Sequence, residues 1–174
     1  MKRSLITLAL LILPVLNAAA WTSIGKPGEL HFSITINQPT CELVDAALEV
    51  DLGTMTLHEH RIAGDTLGRK AFSIGLKECG DVARAYVKMD GEPDANDHLL
   101  FALSGGAQGV GLKVVNSHGG QQLPVASDTG NGMEWPLVAG QDNQLDYIAS
   151  YVITQLPVIA GKAEALVNFT VSYE

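Results

Sequence analysis

The chain has 174 residues, 47% of them hydrophobic and 6% aromatic, with 11 basic residues against 19 acidic ones and a formal charge of −8. That balance excludes the electrostatic footprint of a nucleic-acid-binding protein. The length bounds the molecule to a single domain with a real core, once its leading segment is set aside.

The leading segment is MKRSLITLALLILPVLNAAA, residues 1–20. Lys2 and Arg3 precede an apolar run from Leu5 to Leu16, and Ala18, Ala19 and Ala20 follow. This is the pattern of a secretory signal peptide cleaved after Ala20, and the run is too short to anchor in a bilayer. Cleavage there leaves 154 residues, with nine basic against 19 acidic and a formal charge of −10. No later stretch is long and apolar enough to cross a membrane as a helix.

From residue 21 onward the periodicity is that of strands. In ELHFSITIN, Leu30, Phe32, Ile34 and Ile36 share one face. The same row extends back through Gly28, Lys26 and Ile24. Cys41 and Cys79 are the two cysteines. In an exported chain an even pair reads as a disulfide. A redox or metal pair is the competing reading, and no CxxC supports it. LEVDL carries Leu48, Val50 and Leu52 on one face. His58, Glu59 and His60 offer two imidazoles without a visible third ligand, so they read as solvated loop residues. AFSIGL carries Phe72, Ile74 and Leu76; ARAYVKM carries Ala85, Val87 and Met89, or Tyr86 on the opposite side.

MDGEPDAND reads as a loop. Asp94, Asp97 and His98 within and beside it lack the spaced ligands and closing Glu of a calcium loop. GGAQGVG, with Gly106, Gly109 and Gly111, lacks the Lys-Ser/Thr of a phosphate loop and precedes a strand pattern, so it reads as a turn with close packing. VGLKVV carries Val110, Leu112 and Val114, and NSHGGQQL after it reads as a hairpin turn. SDTGNGM is another turn-rich segment. LDYIASYVIT is apolar on both faces, as in a central strand. The Asn168 sequon falls inside a strand pattern and reads as chance. No GxSxG elbow occurs, and the reading includes no catalytic residue, cofactor or metal. Short strands with regular turn signals predict an all-β sandwich.

The final stretch is GKAEALVNFTVSYE. Ala163, Ala165, Val167, Phe169, Val171 and Tyr173 alternate with residues that are polar except for Leu166. A strand so apolar on one face, with no partner following it, is an aggregation hazard unless another strand covers it. Strand addition from a second molecule is one known solution.

With these residues assembled, the chain resembles the subunits of chaperone–usher fimbriae, the pilins of Gram-negative bacteria. Gly161, fourteenth from the end, and Tyr173, penultimate, with alternating apolar residues between them, are similar to the pilin C-terminal signature. Cys41 about twenty residues after residue 20, LGTM at 52–55, FSIGLKEC at 72–79 and GVGLKVVNSHGGQQL match further pilin stretches. The resemblance implies an incomplete immunoglobulin-like sandwich lacking its last strand and completed by a donated one. It implies three parts: a signal peptide at 1–20, a donor-strand extension at 21–32 and a pilin domain at 33–174. Ile24, Gly28, Leu30 and Phe32 would be the donor residues. Gly161, Ala163, Ala165, Val167, Phe169, Val171, Tyr173 and Glu174 would border the receiving groove. Lys26 and Pro27 depart from this pattern, one by its charge and one by removing a ladder donor.

The implied partners are a periplasmic chaperone, whose basic residues hold the carboxylate of Glu174, an outer-membrane usher, and neighbouring pilin subunits in a head-to-tail polymer. A host or surface receptor would be met through the assembled fimbria on the bacterial cell surface. A self-contained carbohydrate- or receptor-binding module is the alternative. Tip adhesins of the family carry an extra lectin domain, for which 154 residues leave no room. A small periplasmic enzyme or metal protein is a third reading.

Overall fold

The computed structural model describes residues 34, 40–56, 62–124 and 132–174. The chain divides into two compact units, Met1–Ile36 and Asn37–Glu174, and the architecture that follows is that of the second. Its strands are β1 (Glu42–Leu43), β2 (Thr66–Lys77), β3 (Arg84–Asp90), β4 (Val110–Asn116), β5 (Gln121–Gln122), β6 (Met133–Pro136), β7 (Asn143–Ile153) and β8 (Asn168–Tyr173). No described residue is helical.

The strands form two antiparallel sheets, one in the order β1-β2-β7-β4-β5 and the other in the order β6-β3-β8. β7 is the strand that is apolar on both faces, and it lies centrally between β2 and β4. The alternating residues read from the sequence meet between the sheets. Ile74 and Leu76 of β2, Leu112 and Val114 of β4, and Leu145, Tyr147 and Ala149 of β7 are buried against Ala85, Val87 and Met89 of β3. Tyr86 takes the outer face of β3, half-buried.

One polar network pins the sheets together. The Trp135 indole N–H donates to the Tyr147 hydroxyl oxygen at 2.9 Å, and the Gln122 amide donates to the same oxygen at 3.3 Å. Tyr147 also stacks on Phe72 with ring centroids 5.4 Å apart. A buried hydroxyl needs such partners to avoid a desolvation cost of about 1–3 kcal/mol.

The loops follow their turn chemistry. In the β4–β5 hairpin, the Asn116 side-chain oxygen accepts from the amides of His118 at 3.1 Å and Gly120 at 2.7 Å. Asp94 accepts from the amides of Asn96 and Asp97, both at 3.0 Å, so its carboxylate organises the loop after β3. The Gly109 carbonyl accepts from the amides of Thr154 and Gln155, which packs the glycine turn onto the end of β7. The signal peptide, the donor residues, all of ELHFSITIN except Ile34, His58 to His60 and most of SDTGNGM lie outside the described residues.

One expectation is corrected. LEVDL forms no ladder with any described residue, although Leu48, Val50 and Leu52 are half-buried and Glu49 and Asp51 exposed, as the alternation requires. Among the described residues neither sheet has a strand that bonds this segment, so it stays outside both ladders. Two glycines of β2 seat its flanks. A Cβ at Gly75 would fall 2.8 Å from a Val44 methyl, and one at Gly68 would overlap the Met55 side chain.

Cys41 and Cys79 are disulfide-bonded, with Cα atoms 4.1 Å apart and a sequence separation of 38. The bond ties the start of β1 to the residues just after β2. Replacing both cysteines by serine is expected to cost about 4 kcal/mol in the chain-entropy model. Calorimetry should then show Tm lowered by roughly 8–16 °C.

Candidate functional site

The second sheet ends on β8, which pairs with β3 on one side and with no described residue on the other. Arg84 and Glu174 exchange both backbone hydrogen bonds, at 3.3 and 3.1 Å. In an antiparallel ladder such pairs alternate. The register Tyr86↔Ser172, Lys88↔Thr170 and Asp90↔Asn168 therefore directs the backbone groups of these residues into the ladder. The N–H and C=O groups of Phe169, Val171 and Tyr173 point to the open side.

The side chains alternate in the same register. Ala163, Ala165, Val167, Phe169, Val171 and Tyr173 are each half-buried, and every residue between them is exposed. Half-burial along a whole row is what a core looks like with one strand removed. Facing the row is the unpaired segment with Leu48, Val50 and Leu52, and the floor includes Phe72 and Tyr151. Together they enclose a groove of about 1010 Å³.

Gly161 sets the mouth of the groove. A Cβ there would lie 2.6 Å from both the Ala107 nitrogen and the Gly106 carbonyl carbon. Only glycine lets the two backbones approach so closely. Past this point the chain bonds to the 104–107 loop: the Ala107 amide donates to the Lys162 carbonyl at 3.1 Å, and Ser104 and Glu164 exchange bonds at 2.7 and 3.0 Å. The Tyr151 hydroxyl donates to the Ala163 carbonyl at 2.9 Å. Burial raises the Tyr151 pKa above its ordinary 10.0, helped by the negative charges of Asp51 and Glu164. Burial also raises that of Tyr173. At the other end, Tyr86 donates to the Glu174 side-chain carboxylate at 2.7 Å, and this bond holds its hydroxyl above the ordinary value.

Of the C-terminal residues singled out in the sequence, Gly161, Ala163, Ala165, Val167 and Phe169 line the groove and Val171 and Tyr173 continue the same half-buried row, whereas the Glu174 side chain lies on the outer face beside Tyr86. The donor residues Ile24, Gly28, Leu30 and Phe32 lie outside the described residues. Sequence reading missed the opposite wall and the floor. Leu48, Val50 and Leu52 were legible as an alternating row, but not as a row without a ladder partner. Among the described residues no group of three or more His, Cys, Asp or Glu side chains is placed to hold a metal ion.

Fold and site together define an immunoglobulin-like β-sandwich with an open strand edge at β8, a structural module of the pilin type. The sequence comparisons agree. A family model described as "Fimbrial protein" matches residues 30–174, and the chain belongs to that family. It is 45% identical over 159 residues to the "Probable fimbrial subunit LpfE" of Escherichia coli O157:H7, covering 91% of this chain and 88% of that one. It is 44% identical over 167 residues to "Protein LpfE" of Salmonella typhimurium strain LT2, covering 95% of each. Among solved structures, the P pilus rod subunit PapA shares the fold, with a TM-score of 0.62 at 19% identity over 77% of this chain and 99% of that one. The chain is a structural subunit of a fimbria on the cell surface and assembles with other pilin subunits. Structural fimbrial subunits are not an enzyme class.

Two measurements check the geometry. Gly161→Ala is expected to cost about 1–3 kcal/mol by overpacking against backbone that cannot yield, read as a lower urea midpoint. Tyr151→Phe removes a hydrogen bond worth about 1 kcal/mol. The folded-state pKa of Tyr151 lies above the unfolded value of 10.0, so its contribution is intact below pH 10 and is lost as pH rises through the folded value. The stability gap between the native chain and Tyr151→Phe should therefore shrink above pH 10.

Proposed function

We propose that the groove is filled by residues 21–32 of a neighbouring subunit, so that fimbrial subunits polymerise by donor-strand exchange. The observation that carries this reading is the open edge of β8, where unpaired backbone groups and a half-buried apolar row run side by side. An added strand satisfies both at once. Ladder bonds give generic affinity, and alternate side chains give register. Leu30, Phe32 and Ile24 of the donor each contribute about 1.5–3 kcal/mol on full burial, before the cost of ordering the segment. Gly28 suits a shallow part of the groove.

Before polymerisation, the same edge is a hazard in a free subunit. A periplasmic chaperone covers it in this scheme, holding the Glu174 carboxylate with basic residues, and an outer-membrane usher is where the exchange takes place. In this scheme residues 1–20 act as a signal peptide that sends the chain through the periplasm, residues 21–32 form the donor extension and residues 33–174 the pilin domain. The assembled fimbria supports adhesion through a receptor met at the cell surface. Head-to-tail contacts of this kind do not close, so they build a filament.

Deleting residues 21–32 is expected to abolish self-assembly while leaving the sandwich folded, as judged by its circular dichroism. Normal polymerisation of that truncation would sink the donor assignment. The double variant Tyr173→Ala with Gly161→Arg is expected to lose co-purification with the chaperone, and undiminished capture would count against the groove.

A further inference from the structure

Resting on the donor-strand reading, one bond from the groove floor closes the end of the groove near Gly161. There the C-terminal run pairs with the 104–107 loop rather than with β3. The Lys162 carbonyl accepts from the Ala107 amide at 3.1 Å, and Glu164 exchanges both backbone bonds with Ser104 at 2.7 and 3.0 Å. Backbone groups of successive residues in an extended chain point to opposite sides. The N–H and C=O of Ala163 are therefore turned away from the loop, toward the open side where an added strand would lie.

The Ala163 carbonyl is already engaged. The Tyr151 hydroxyl donates to it at 2.9 Å. Tyr151 stands on β7, in the opposite sheet, and its ring lines the groove. The phenol thus reaches across from the floor and bonds an acceptor on the wall, at the edge that a ladder would use. Its ring is held in place on two sides, by the main core and by the cluster of Leu67, Val110 and Ile153. Burial, helped by the negative charges of Asp51 and Glu164, holds the hydroxyl proton on beyond its ordinary range, so the donor is present at neutral pH. The remaining side-chain bonds of the C-terminal run face the loop or β3. Ser104 donates to the Glu164 carbonyl at 3.2 Å, Ser172 to the Tyr86 carbonyl at 3.5 Å, and Tyr86 to the Glu174 side chain at 2.7 Å.

We infer that Tyr151 gates the groove: its hydroxyl holds the ladder acceptor of Ala163, and an incoming strand takes that acceptor only by displacing it. The exchange swaps one hydrogen bond for another, because a strand amide replaces the phenol. The cost therefore falls on entry, when the first bond is broken and the second is not yet made. A strand that presents no amide at Ala163 leaves the gate shut, so the gate selects for register as well as slowing uptake.

The test follows uptake of a fluorescent synthetic peptide of residues 21–32 by the mature chain, with peptide in excess. Tyr151→Phe keeps the ring and frees the carbonyl, so uptake should be about fivefold faster than in the native chain, the rate change that one hydrogen bond commands. Ser73→Ala removes a bond to Asp146 of 2.6 Å, outside the groove lining, and should take up peptide at the native rate. Equal or slower uptake by Tyr151→Phe overturns the gate. Equal acceleration in both variants also overturns it, since a loosened sandwich then explains the rate. Failure of all three chains to take up the peptide overturns the groove reading, and the gate with it. Carbon-13 NMR reads the handover itself. The Ala163 carbonyl resonance should differ between the native chain and Tyr151→Phe without peptide, and coincide once peptide is bound. A difference that persists in the bound chains overturns the displacement.

Discussion

The structure depends on one unsatisfied edge. β8 gives half of its backbone groups to β3, while those of Phe169, Val171 and Tyr173 face the open side. Unpaired polar backbone can stay solvated, but the apolar row beside it then stays half-covered. Neither need can be met by the described part of the sandwich. A strand added from outside meets both, and the family to which the chain belongs is one of assembling subunits.

The remaining architecture holds that edge open rather than letting it collapse. The segment with Leu48, Val50 and Leu52 could close the groove by moving toward β8. It is restrained at its start by the Cys41–Cys79 bond and β1. It is seated along β2 where Gly75 and Gly68 admit Val44 and Met55. On the other side, Gly161 locks the start of the C-terminal run against the 104–107 loop. Behind both walls the Trp135–Tyr147–Gln122 network fixes the spacing of the sheets. A groove between rigid walls costs little to reorganise when a strand enters, which favours binding.

The sequence by itself determined the strand class, the central place of β7, the disulfide pair and the apolar wall from Ala163 to Tyr173. These follow from period-two alternation, from burial on both faces and from an even cysteine count, all local properties of the chain. Gly161 was legible as a family signature, but its reason was not. Only the folded backbone shows that Ala107 and Gly106 leave no room for a Cβ. The tertiary structure alone decided that LEVDL goes unpaired, because a strand pattern states which face is apolar and not whether a neighbour exists to bond it. It also decided that the C-terminal row and the 48–52 segment line one groove, since residues so far apart in sequence meet only when the strands fold over one another.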